Sequence, residues 1–229
     1  MPYRLERRYS APSFYCPKMS DDLLIKIGKI VRSRMVIDHS SHDWSHVERV
    51  YLLANKLGAS LGADLIVLGA ASLLHDIGME AELERGDDHA KAGAEVAEEI
   101  LGEVHFPEDR IRNVVNSIRT HRYGGRLRAE TLEAMILQDA DRLDAIGAIG
   151  LARAFAYGGA RGCPIYDPLE VPGEYDPSAR RATVTHIKEK LLRISDSLNT
   201  EAAREIAFER EKFLKLFLDR LLAEFRGEA

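Results

Sequence analysis

The chain has 229 residues, 45% of them hydrophobic and 30% charged, which suits a globular protein with a sizeable core. Its net charge of −5 gives no support for a nucleic-acid coat or a polybasic membrane patch, and no stretch approaches the roughly 18 apolar residues of a membrane span. Cys16 and Cys163 are far apart and in no CxxC pattern, and MPYRLERRYS lacks an apolar signal region, so a reducing, cytoplasmic location is expected.

The dominant period is helical. Residues 1–19 hold three prolines and read as an irregular arm. A first helix is expected from SDD at 20–22 to about Met35, with Ser20 as its cap and acids in its first turn. After the polar break DHSSHD (38–43), a second helix runs from about Trp44 to Leu57 and ends at Gly58. The third runs from about Ala63 to Ile77 and ends at Gly78. An acidic connector, MEAELERGDD, leads to a fourth, about His89 to Leu101, ended by Gly102. A fifth covers about Glu108 to His121, a sixth about Ala129 to Asp141 and a seventh about Asp144 to Tyr157.

Residues 158–181 differ, with four glycines and four prolines in a stretch too long for a plain connector. Two readings stand: a lid over a substrate, using Gly158, Gly159 and Arg161, or a packed irregular loop. Two helices then close the chain, about Ala182–Ser197 and Thr200–Arg226. The last carries a stripe at Ile206, Phe213, Leu214, Phe217, Leu221 and Phe225 expected to dock on the core. No strand, repeat or low-complexity tract is found. The expected fold class is all-α, a helical bundle in a single domain over 1–229, with a core at 20–160, the loop 158–181 and carboxy-terminal helices at 182–226.

Several polar residues fall on apolar faces. His46 shares a stripe with Val50, Leu53, Ala54 and Leu57, and His89 with Gly93, Val96, Ala97 and Ile100. His121 follows Ile111, Val114 and Ile118, Asp141 follows Leu137, and His75 and Asp76 end a helix that is apolar nearly all round. His46, His89 and Asp144 are expected at amino-terminal ends, and His75, Asp76, His121 and Asp141 at carboxy-terminal ends. Alternating helices bring those ends to one side of a bundle. Taken singly, each has a plain account as a hydrogen-bonded core residue, but that account must be invoked afresh for each. A shared cation answers all of them, and a His/Asp set suits Mn, Fe, Co, Ni or Zn better than Ca. His75 and Asp76 point about 100° apart, so an ion shared by both sits beyond the helix end.

These residues also carry a likeness. HDWSH at 42–46, HDIG at 75–78 and DADRLDAIG at 139–147 resemble the HD-domain superfamily of metal-dependent phosphohydrolases. The resemblance implies a bundle of the HD-domain type, with His46, His75, Asp76 and Asp141 as metal ligands. His89 and His121 match additional histidines that bind a second metal or the substrate phosphate in some branches. AFAYGGARGCPIYDP (154–168), HIKEKLLRI (186–194) and NTEAAREIAFER (199–210) are similar to a single-domain bacterial and archaeal branch that includes nucleotide pyrophosphohydrolases. The likeness covers roughly residues 20–225. Nucleotidase-type members carry an acid closely after the His-Asp pair; here position 79 is Met and Glu80 comes one later.

The expected cofactor is one or two divalent ions, Mn, Fe, Co, Ni, Zn or Mg, with water as nucleophile and Asp76 or Glu80 as general base. Phosphoryl oxygens call for cations, and the candidates are Arg49, Arg122, Lys190 and His186, with Arg49 and Lys190 favoured by the likeness. Arg142 follows Asp141. No P-loop or GxGxxG is present. The leading expectation, on resemblance, is cleavage of a nucleoside triphosphate to monophosphate and pyrophosphate. Phosphomonoesterase or cyclic phosphodiesterase action comes next, then a di-iron oxygenase, then a non-catalytic nucleotide-binding module. The expected partner is a small phosphorylated molecule rather than a nucleic-acid polymer or a membrane; the oligomeric state is left open.

Overall fold

The computed structural model describes residues 22–35, 43–125, 127–176 and 178–228. The 1–19 arm, Ser20 as a cap, Cys16 and the part of the polar break that includes His42 lie outside these residues. The described chain is all-α. Its helices are α1 (Asp22–Arg34), α2 (Trp44–Leu61), α3 (Leu65–Leu74), α4 (Met79–Arg85), α5 (His89–Glu103), α6 (Glu108–Thr120), α7 (Leu132–Asp144), α8 (Gly147–Ala160), α9 (Thr183–Glu189) and α10 (Glu201–Phe225). A 3-10 helix, Leu191–Ser197, separates the last two. Among the described residues no helix is long and apolar enough to cross a membrane.

α3 is the centre of the packing. Its sequence, LIVLGAASLL, has no polar side because α1, α2, α6 and α7 all pack on it, and every residue from Val67 to Leu74 is buried. Each buried Leu or Val there contributes roughly 1.5–3 kcal/mol. Its first turn is fixed by Asp64, whose carboxylate accepts from the Ile66 and Val67 amides at 3.0 and 3.3 Å. Asp43 caps α2 the same way through the His46 amide at 3.0 Å, Asp88 caps α5, and Thr200 caps α10.

Two glycines read as helix stops act otherwise. α2 runs through Gly58, where an added Cβ would lie 2.5 Å from Leu68 Cδ2, so glycine there permits α2–α3 packing. The stop is Gly62, at φ +74°, a conformation that favours glycine. At Gly78 an added Cβ would lie 2.3 Å from the His89 carbonyl oxygen and 2.4 Å from the Gly93 nitrogen. The backbone of α5 thus rests directly on the turn that follows His75 and Asp76.

The acidic connector contains the helix α4, whose Ala81 is buried and Glu82 half-buried while Glu80, Glu84 and Arg85 are exposed. α7 starts three residues later than expected because Thr131 caps it, and it continues through Asp141 to Asp144. Asp144 therefore ends α7 and does not begin the next helix. α10 docks through Ala203, Ala207, Leu214 and Leu218, with Ile206, Phe217 and Leu221 packed beside them. Phe213 and Phe225, counted in the expected stripe, are 44% and 51% exposed, because small residues let α10 approach on a different face. Buried Asp139 ties α7 to α10, accepting from the Asn199 and Thr200 amides at 2.7 and 2.8 Å and from the Thr200 hydroxyl.

The 161–182 segment is irregular and anchored. Thr183 and Val184 donate backbone hydrogen bonds to the Pro164 and Ile165 carbonyls, Ala182 donates to the Glu170 carboxylate, and Gly173 donates to buried Glu189. Its tip, Leu169 and Val171, is strongly exposed.

Candidate metal centre

The six residues taken from the sequence as metal or phosphate ligands converge at one end of the bundle. α2 supplies His46 near its start, the turn after α3 supplies His75 and Asp76, α5 opens with His89, α6 ends at His121, and the last turn of α7 carries Asp141. They form two triads, His46–His75–Asp141 and Asp76–His89–His121, each with its ligand atoms within 4.8 Å of one another.

Asp76 lies between the triads. Its Oδ2 is 3.4 Å from Nε2 of both His46 and His75, and its Oδ1 is 3.7 Å from His121 Nε2 and 4.0 Å from His89 Nε2. Asp141 Oδ1 lies 3.4 Å from His46 Nε2. All six are buried except His89 and Asp141, which form the open edge.

The outer nitrogens define which atoms face inward. His75 Nδ1 donates to the Ser72 carbonyl at 2.8 Å, and His121 Nδ1 donates to the Ile118 carbonyl at 2.7 Å. His46 Nδ1 donates to Asp144 Oδ2 at 2.8 Å, and His89 Nδ1 donates to Glu82. A neutral imidazole that donates from Nδ1 presents a lone pair at Nε2. The four lone pairs meet in two facing pairs, His46–His75 and His89–His121, each 3.2 Å apart between Nε2 atoms. Neutral rings in this tautomer have no proton to place between those atoms. Four imidazole nitrogens and two carboxylates converging in this way fit divalent cations, and the outer acceptors are those that orient metal-bound histidines.

Burial acts against the charges, and at His46, Asp141 and Asp144 the cluster reverses it. Burial would lower the His46 pKa, but hydrogen bonds with Asp141, Asp144 and Asp76 raise it well above the ordinary imidazole value. Burial would raise Asp141 and Asp144, yet their bonds to His46 hold both well below the usual carboxylate range, helped at Asp144 by Arg49. His89 is pushed down by burial and by the neighbouring His121, against the pull of Asp76 and Glu82.

Other candidates fall differently. Arg49 donates Nε and Nη2 to Asp144 at 2.7 and 2.9 Å and Nη1 to Ser45 at 2.9 Å, so the side chain holds the partner of His46. Arg122 lies 3.3 Å from Glu82 and 3.5 Å from Asp88. Glu80 is exposed, while Glu82 bonds His89; two residues along a helix turn the side chain through about 200°, which separates the two acids. His186 packs its ring edgewise on Tyr175, 5.6 Å between centroids, outside both triads. Lys190 rests on Tyr123 and Tyr175, with Asp141 in electrostatic reach.

Two supporting residues, Glu82 and Arg153, escaped the sequence reading, and Asp144, expected at the start of a helix, was given no role as a support. Asp144 stands three residues after Asp141 and so shares its face, a signal the spacing held. Glu82 and Arg153, which donates to Asp144 Oδ2 at 2.6 Å, carry no such signal.

The chain is similar to known proteins over most of its length. The HD domain family model matches residues 43–146. The protein YpgQ of Bacillus subtilis is 35% identical over 201 residues, spanning 86% of this chain and 91% of that protein. A crystal structure of an HD-superfamily hydrolase from Bacillus thuringiensis superposes with a TM-score of 0.71 at 34% identity, covering 89% of this chain and 96% of that one. The structure of Bacillus subtilis YpgQ in complex with ADP gives 0.70 at 31% identity, covering 90% and 100%. The chain therefore belongs to the HD superfamily.

Proposed function

We propose that the protein is a metal-dependent phosphohydrolase acting on a nucleotide, with nucleoside triphosphates as the leading substrates. The observation that carries this reading is the pair of adjacent triads, with Asp76 of the second turning its other oxygen to His46 and His75 of the first at 3.4 Å. His46, His75 and Asp141 would hold one divalent ion and His89 and His121 a second, with Asp76 presented to both. Bound there, such ions acidify water toward neutral pH and polarise a phosphoryl oxygen.

The remaining tasks fall to the chain. Asp144 holds the proton of His46 Nδ1, and Glu82 that of His89 Nδ1, so the inner nitrogens stay free. Arg49 and Arg153 hold Asp144 in place, and Arg122 steadies Glu82. Arg49 and Arg122 thus act as positioning residues, and Lys190 as the cation that meets substrate charge. Asp76, a carboxylate facing both triads, is the general base assigned here; Glu80, on the outer face of α4, has no part in the step. ADP in the YpgQ structure supports a nucleotide ligand.

The test is turnover by chelator-stripped protein with Mn, Mg, Co, Ni, Zn or Fe added singly, against nucleoside tri-, di- and monophosphates and cyclic nucleotides. Metal-dependent release of pyrophosphate from a triphosphate is expected, while orthophosphate release would point to a phosphomonoesterase. No turnover under any of these conditions refutes the reading. The histidine-rich donor set also suits two irons, so oxygen uptake by iron-loaded protein in that case would favour an oxygenase.

A further inference from the structure

Asp144 separates His46 from a cavity of about 430 Å³ that opens between α2, the turn into α8 and α10. None of the six residues of the two triads lines it. On α2 its wall runs from Arg49 through Leu52 to Lys56. Lys56 stands ten residues beyond His46, about 15 Å along the helix axis, so the cavity leads away from the metal centre.

Positive charge is in excess here. Three lining residues are cations, Arg49, Lys56 and Arg210, and one is an acid, Asp144; the others are apolar. The Asp144 carboxylate is already met by Arg49 and Arg153 and accepts from His46 as well. Arg210 has no carboxylate bonded to it among the described residues: its Nη1 donates to the Leu143 carbonyl, and Asp144 acts on it through space. Burial weakens the guanidinium charge, and Asp144 offsets only part of that. The side chain is nonetheless held in one place. Its stem lies on Gly147, where an added Cβ would come within 3.0 Å of Arg210 Cγ. Lys56 is exposed and has no ion pair among the described residues.

The same cavity is strongly apolar. Leu52 and Ile149 stay 40% and 43% exposed, and both line it together with buried Ile146. Apolar surface left in contact with water is stabilised by an occupant that covers it, and surplus cations by one that carries negative charge. A volume of this size lies in the range of small-molecule sites, roughly 300–1,000 Å³. We propose that the cavity binds a small organic anion with an apolar body, of the aromatic carboxylate or sulfonate kind, at a site separate from the metal centre. Arg210 and Lys56 receive the anionic group, and Leu52, Ile146 and Ile149 cover the body. The site stands whether or not the triads hydrolyse phosphates.

The test is fluorescence titration of the full chain with 8-anilinonaphthalene-1-sulfonate, which joins one anionic group to aromatic rings. Saturable one-to-one binding is expected. Arg210→Gln should weaken it at least about tenfold, as for the loss of a hydrogen bond to a charged group. Lys56→Glu, at an exposed position where the fold is not at stake, should weaken it at least about threefold. The uncharged analogue N-phenyl-1-naphthylamine should bind the wild type less tightly. Leu169→Ser, at the exposed apolar tip of the 161–182 segment, should change nothing, and a large excess of Mn and ADP should leave the probe in place. No binding by the wild type, or unchanged binding by Lys56→Glu and by folded Arg210→Gln, overturns the site. Equal binding of the uncharged analogue, loss of binding in Leu169→Ser, or displacement by Mn and ADP overturns it as well.

Discussion

Replacing Asp144 by Asn tests how far the centre depends on a residue that touches neither facing pair of inner nitrogens. The Asp144 carboxylate is 3% exposed and accepts from His46 Nδ1 at 2.8 Å, Arg49 Nε and Nη2 at 2.7 and 2.9 Å and Arg153 Nη1 at 2.6 Å. Asparagine keeps the shape, removes the charge and turns one acceptor into a donor that faces other donors. Breaking a fully buried ion pair costs about 3–5 kcal/mol. Here Arg49 and Arg153 retain 30% and 18% side-chain exposure, so water recovers part of that, leaving an expected loss of about 2–4 kcal/mol. For a chain of this length that is a fall in Tm of about 5–15 °C. His46 also loses the acceptor that fixes its tautomer, so affinity for a divalent ion should drop about 10–100-fold. Calorimetric unfolding with chelator present, and titration of the stripped protein with Mn or Zn, measure the two effects separately. Wild-type Tm together with wild-type metal affinity would refute the role assigned to Asp144.

Further outcomes follow from the same geometry. Asp76→Ala should abolish activity and sharply reduce bound metal, since it removes the carboxylate that faces histidines of both triads; full metal content by elemental analysis would contradict its assignment as a ligand. Glu82→Gln should weaken metal binding about tenfold while Glu80→Gln leaves it unchanged, and the reverse order would exchange their roles. Gly78→Ala drives a Cβ to within 2.3 Å of the His89 carbonyl oxygen, a backbone clash expected to cost about 1–3 kcal/mol. An unaltered melting curve would show that α5 does not rest on that turn. His186 is pushed down to about 4 from 6.5 by burial and then by Lys190. Its folded form resists the proton that the unfolded form takes up, so stability should decline as pH falls from about 6.5 toward 4, by at most about 3 kcal/mol. His186→Gln should flatten that part of the profile, and an identical slope in the variant would disprove the assignment.

The helices and the metal-ligand candidates were legible because both depend on local pattern. The starts expected near Trp44, Ala63, His89 and Thr200 lie within two residues of the observed ones, where Asp43, Asp64, Asp88 and Thr200 accept amides two or three residues ahead. The face of a helix follows from 3.6 residues per turn, which is why His46, His89 and His121 stood out against apolar neighbours before any packing was known. The stops were less legible: Gly58 and Gly62 are both glycines near a helix end, and only the approach of Leu68 separates the packing glycine from the one at positive φ.

Sequence alone thus determined the all-α class, a third helix apolar nearly all round and a His/Asp set placed at helix ends. Tertiary structure decided how that set divides. That Asp76 stands between two triads, that Asp144 and Glu82 hold the outer nitrogens, and that Arg49 is spent on Asp144 all depend on contacts between residues up to 98 positions apart. No periodicity encodes such contacts. They arise because the α5 backbone settles on Gly78 and α7 packs against α2, and those distances are set by the shapes of the surfaces that meet.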